Sequence, residues 1–171
     1  MALSNYVKDF TRGSIRLSDG TGSPLFIDLD LDQGDLSFGP MQDELNEVVP
    51  YQRRGKLSGI GRGERIFPTG SFTVQVAQFT DASAKIISDF ILRNGAFSAA
   101  VSTRGAGQVF TLDIRFVMEG TDHGDSADHT VTLNDCYCQI ASFDEGSPNT
   151  ISVNFTVYGA ISGDLSCAEI S

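Results

Sequence analysis

The run LFIDLDLDQGD at residues 25–35 sets Asp28, Asp30 and Asp32 at alternate positions, with Leu29 and Leu31 between them. Three carboxylates at that spacing match the first ligand positions of a calcium-binding EF-hand loop. The rest of that loop fails: it needs Gly at its sixth position and Glu at its twelfth, where this chain has Gln33 and Gly39. An interval of two is the repeat of a β-strand, so the acids read as its solvated face and the leucines as its buried one.

A second group, TDHGDSADH, holds His123, Asp125, Asp128 and His129, residue types suited to a divalent metal or to acid–base work. These are the chain's only two histidines, and a polar connection between two strands accounts for the composition equally well. Cys136 and Cys138 fall on one strand face at i, i+2, where free cysteine packs as a small apolar side chain. With Cys167 the cysteines are odd in number and form no disulfide framework, which fits assembly in a reducing compartment. GIGRGE has neither the dinucleotide-binding nor the phosphate-loop spacing. No nucleophile–base arrangement is suggested, so the expectation is a protein that is not an enzyme and has no cofactor or metal.

The elements that must position these residues are mostly strands. In TISVNFTVYG, Ile151, Val153, Phe155 and Val157 share one face, and Ser152, Asn154, Thr156 and Tyr158 the other. FTLDIRFVME and SFTVQVAQF repeat the alternation. HTVTLNDCYCQIASF changes parity, from Val131 and Leu133 to Cys136, Cys138 and Ile140, which predicts a β-bulge near Asn134 and Asp135. Earlier strands are expected at GSIRLS, PLFIDLDLD and DLSFG, with a turn at Asp19-Gly20-Thr21-Gly22. One segment, DASAKIISDFILRNG, reads as a helix over about residues 81–93, capped by Thr80 or Asp81 and stopped at Asn94-Gly95.

Residues from about 40 to 68 do not read as core. They begin acidic and turn basic at Arg53, Arg54, Lys56, Arg62 and Arg65, with Gly59, Gly61 and Gly63 alternating among them, the pattern of a long projecting arm or loop.

The 171 residues are one domain's worth of chain, long enough to bury a core without disulfides or metals. A formal charge of -10 argues against nucleic-acid binding as the main task, because such affinity comes from cations neutralising phosphates. It favours a protein contact for the basic cluster, with an acidic surface opposite it, either the Asp43 to Glu47 stretch or carboxylates of another copy. The N-terminus MALSNYVKDFTRG lacks a signal peptide's apolar centre, and no apolar run approaches the roughly 20 residues that span a bilayer, so a soluble, cytosolically made chain without membrane binding is expected.

The order of N-terminal strands, the arm ending in RGERIFPTGSFTVQV, the helix DASAKIISDFILRNG, and the series TLDIRFVMEG and HTVTLNDCYCQIASFDEGSPNTISVNFTVYGAI resembles phage tail tube proteins of long non-contractile tails, over most of the chain. The resemblance implies a mainly β fold: a single domain over residues 1–171, a two-sheet antiparallel β sandwich or barrel with one flanking helix and the projecting arm. It further implies hexameric rings stacked into a hollow tube in the virion tail, through which DNA passes as cargo, and a tape-measure protein and tail initiator and terminator proteins as partners. Six copies would carry a charge of about -60, a field that lets DNA slide rather than stick. Under that resemblance Arg53, Arg54, Lys56, Arg62 and Arg65 are expected at contacts between subunits or rings, and Asp28, Asp30 and Asp32 toward the lumen. The alternatives are a monomeric β-sandwich binding module, calcium-dependent through the Asp strand or His loop, and the tube of a secretion or gene-transfer particle.

Overall fold

A computed structural model describes residues 13–31 (the side chains of 30 and 31 excepted), 36–40, 45–76, 85–104, 109–118, 120–121 and 126–164. Among the described residues, ten strands, one α-helix and a short 3-10 helix (Gly95–Phe97) follow in chain order: β1 (Gly13–Ser18), β2 (Phe26–Leu31), β3 (Ser37–Gly39), β4 (Asn46–Arg53), β5 (Lys56–Arg65), β6 (Thr69–Gln75), α1 (Ile87–Leu92), the 3-10 helix, β7 (Leu112–Met118), β8 (His129–Asp144), β9 (Thr150–Val157) and β10 (Ile161–Gly163). The fold is mainly β and antiparallel throughout, as the alternation predicts.

β1 pairs with β2 and β7, and β7 with the first part of β8, on whose other side β10 lies. The remainder of β8 pairs with β9, β9 with β6, and β6 with β3. β2 meets β6 through one residue pair, Leu31 and Val74. Two layers result, with β8 serving both, and their inner faces supply Ile15, Leu17, Phe72, Ile114, Phe116, Leu133, Val153 and Phe155 to one core. β9 keeps the expected faces: Ile151, Val153, Phe155 and Val157 are buried while Ser152, Asn154 and Thr156 point out.

β8 changes layers at the predicted bulge. Leu112 is opposite Cys136 and Ile114 opposite Leu133, so three steps on β8 match two on β7. The extra residue flips the inward parity, and Asp135 absorbs it with φ 53. Cys136 and Cys138 are then both buried, which pushes both thiols up, Cys138 to about 12, and leaves them packed and unreactive.

The bulge is held by the Asp113 carboxylate, which accepts the Asp135 amide at 3.0 Å. Burial, with the Asp135 charge adding to it, raises the Asp113 pKa above the ordinary carboxylate value. A raised folded-state pKa adds stability that is complete below the unfolded value, about 3.9, and is lost as pH rises through the folded one. Asp113→Asn keeps the accepting oxygen and removes the charge. It is expected to melt higher than the parent at pH 7.5 and no higher at pH 3, and a variant less stable at pH 7.5 would contradict this.

The helix is shorter than the sequence pattern predicts. α1 starts at Ile87, its cap position Ile86 makes no side-chain capping bond, and Thr80 and Asp81 lie outside the described residues. It ends at Leu92, with Arg93 as a left-handed cap at φ 56, within one residue of the expected end at 93. The Asn94 amide reaching Asp89 O at 2.8 Å closes the last turn. Phe90 packs on Phe97 with ring centroids 4.5 Å apart, and the helix flanks β8.

Asp19 ties the β1–β2 turn to the segment after the helix. Its buried carboxylate accepts from Thr21 Oγ1 at 2.8 Å, the Leu25 amide at 2.8 Å and the Val101 amide at 3.0 Å, while the Gly20 amide reaches Val101 O at 2.9 Å. Ser102, Thr103 and Thr111 continue this polar seam through their hydroxyls, and Thr103 Oγ1 donates to Asp135 at 3.1 Å.

Candidate assembly surface

The arm expected from the sequence is a two-stranded ribbon, β4 against β5. Arg54 and Gly55 make its turn, with φ 51 and 75, the paired left-handed conformations of a tight two-residue hairpin. Proline is tolerated at Pro50 because β4 is an edge strand. On one face, Tyr51 and Val49 lie across Gly59 and Gly61; a Cβ on Gly61 would collide with the Tyr51 ring, so the glycine is there for the close approach.

The other face pairs Val48 with Arg62 and Pro50 with Ile60. Val48 is 68% exposed and Ile60 67%, with Leu57 nearby at 61%. A two-stranded ribbon is at best marginally stable alone in water, and an apolar patch on it marks a surface that something else covers. Its root is anchored: Phe67 meets Tyr158 edge-on at 4.9 Å, and Pro68 O accepts the Val157 amide at 2.8 Å.

The structure brings three of the five basic residues of the arm together. Arg53, Arg54 and Lys56 cluster, exposed, at the ribbon tip. Arg62 sits on the apolar face beside Val48, and Arg65 lies half-buried at the root over Phe67, its Nε without a hydrogen-bond partner among the described residues. Residues 45–68 carry five basic and two acidic side chains, a net of +3, which leaves seven basic and 20 acidic, -13, for the rest of the chain. A cationic, apolar-faced ribbon projects from an anionic body.

The carboxylates of the opening run are placed differently. Asp28 faces outward on β2 and accepts both Nε and Nη2 of Arg16 on β1, at 2.6 and 2.9 Å. The guanidinium holds its carboxyl below the usual carboxylate range. Arg16 and Lys85 also flank the half-exposed Phe26 ring, at 4.4 and 4.8 Å. Asp30 lies in β2 opposite Ser14, and Asp32 is outside the described residues. His123, Asp125 and Cys167 are also outside them. Asp128 accepts the Thr121 amide and hydroxyl at 3.2 and 2.9 Å, and His129 Nδ1 is 3.3 Å from Asp164. Among the described residues of the His loop, Asp128 closes the connection on Thr121, and His129 lies against Asp164, just beyond β10.

No protein-family model and no curated protein matches the sequence. Solved structures do match. One is a chain of an extracellular contractile injection system, the PVC sheath/tube terminator in the extended state, at TM-score 0.55 and 13% identity, covering 95% of this chain and 99% of that one. Another is a chain of the PVC sheath–tube complex in the extended state, at TM-score 0.54 and 12% identity, covering 95% and 94%. At that identity, the fold is what this chain has in common with them.

Proposed function

We propose that the chain is a structural, non-enzymatic subunit of a phage-tail-like particle, assembling with copies of itself into stacked hexameric rings that enclose a channel for DNA. The observation that carries this reading is the β4–β5 ribbon, whose apolar and cationic surface its own domain leaves bare. The fold shared with chains of injection-system assemblies supports it, as does the order of elements that resembles tail tube proteins. The sequence resemblance points to non-contractile tails and the structural neighbours come from a contractile system, so the reading rests on what the two have in common: a structural subunit of a tail-like particle. Tape-measure, initiator and terminator proteins are its proposed partners. The outer face of β2 is proposed for the channel wall, where Asp28 brings a carboxylate already paired with Arg16.

Closing a β domain into a ring also uses strand edges that would otherwise invite uncontrolled pairing. Reversing Arg53 and Arg54 to Glu is expected to leave a folded monomer, with Tm within about 2–4 °C of the parent because exposed charges contribute at most about 1 kcal/mol. Rings and tubes seen by negative-stain microscopy should be lost. Tubes of unchanged length would remove the tip from the contact.

A further inference from the structure

The outer face of β2 continues as a row across five strands. The registers set Asp28, Arg16, Arg115, Thr132 and Ser162 side by side on β2, β1, β7, β8 and β10. Their sequence neighbours Ile27, Leu17, Ile114, Leu133 and Ile161 are buried, so the row faces outward. Two guanidinium groups are thus cross-strand neighbours, with a single carboxylate beside them. That carboxylate, Asp28, engages Nε and Nη2 of Arg16. Arg115 is exposed and makes no ion pair or side-chain hydrogen bond among the described residues. Asp113, two residues before it on β7, has its carboxylate on the Asp135 amide instead.

Like charges directly opposite each other on a sheet are destabilising, and an anion seated on Arg115 relieves that repulsion. The setting makes a free cation conspicuous, because outside the ribbon seven basic side chains stand against 20 acidic ones. The planar fork of a guanidinium matches two oxygens of a phosphate, and the hydroxyls of Thr132 and Ser162 next in the row are donors for the others. Resting on the channel reading above, we propose that Arg115, with Thr132 and Ser162, is a contact for the phosphodiester backbone of DNA, one in each subunit along the wall. An exposed contact built on one cation is weak and screened by salt. It guides a strand past the acidic body without holding it.

The test is a titration of the 15N-labelled full chain with a short DNA duplex at low salt, read at the arginine Nε–H signals and the amides of β7, β8 and β10. Arg115 Nε and the Thr132 amide are expected to shift, Arg16 Nε to shift less because Asp28 keeps it, and all shifts to fade as salt is added. The Arg53→Glu, Arg54→Glu chain should show the same shifts, which sets the contact apart from the basic ribbon tip. In that chain Arg115→Gln should abolish the Thr132 shift and lower the slope of log affinity against log salt by about one. Shifts confined to Arg53 and Arg54 would overturn the contact. Equal shifts with inorganic phosphate at the same phosphate concentration would overturn it as well, leaving an adventitious ion only. If the parent forms rings, the assembly reading survives either of those results. If Arg115 responds to DNA while the parent stays monomeric at every concentration, the channel reading falls and the phosphate contact stands.

Discussion

Replacing residues 46–65 with a short Gly-Ser linker is expected to abolish assembly completely while the two-layer body stays folded. Among the described residues, no ribbon side chain belongs to the buried core, and the strands of the ribbon pair only with each other. The ends to be joined are already adjacent, since the Ile66 amide donates to Leu45 O at 2.8 Å, so a short linker closes without pulling on β6. The entropy of such a loop changes by less than about 1 kcal/mol, which holds Tm within about 2–4 °C of the parent. Sedimentation velocity and circular dichroism would report both outcomes. A variant that still forms rings would show that the ribbon is ornamental, and one that unfolds would show that the body depends on it.

Asp19→Ala is expected to have the largest effect on the fold itself. The substitution leaves the Leu25 and Val101 amides and the Thr21 hydroxyl without their shared acceptor in a site where Asp19 is only 3% exposed. Each lost bond to a charged acceptor is worth roughly 1.5–3 kcal/mol, and stranded buried donors add their own desolvation, so a loss of about 3–5 kcal/mol follows. For a chain of this size that lowers Tm by roughly 6–20 °C. Asp19→Asn keeps one acceptor oxygen but turns an NH2 toward a neighbouring amide, so its melting point should fall between the two. An alanine variant melting within 2 °C of the parent, an interval of about 1 kcal/mol or less, would show that water replaces the carboxylate.

The strands that bury one face were legible from residue types, because the period-two contrast between Ile151, Val153, Phe155 and Val157 and their polar neighbours is a direct record of burial. The bulge at Asn134 and Asp135 was legible for the same reason: parity on the inward face of β8 cannot change without an inserted residue. The ribbon was not. Both of its faces are largely exposed, so β4 shows no contrast between Val48 and Val49, and the glycines that make room for Tyr51 look like loop residues until the partner strand is in place. Its one local signal was Arg54-Gly55, a tight-turn pair between β-competent segments.

The helix was overextended at its start, because Ile86 belongs to the apolar stripe of Ile87, Phe90 and Ile91 yet has extended backbone, with φ -117 and ψ 140. For the candidate site, the basic cluster was visible as charge, but the convergence of Arg53, Arg54 and Lys56 on a tip and the burial of Arg65 at the root depend on strand pairing. The acidic run illustrates the same limit. Its spacing identified a strand face, whereas the Arg16 partner that compensates Asp28 sits 12 residues away on the neighbouring strand. The reach of Asp19 to Val101, across 82 residues, is likewise a tertiary fact with no local trace.

The central claim is that this chain is built to associate with itself through a surface its own body leaves uncovered. Sedimentation velocity of the purified chain across a wide concentration range, with negative-stain images of the fastest-sedimenting fraction, tests it most directly. The account predicts ring-sized and larger species that grow with concentration and appear as annuli or tubes of one diameter. A single monomer boundary at every concentration, with no annuli, would contradict it.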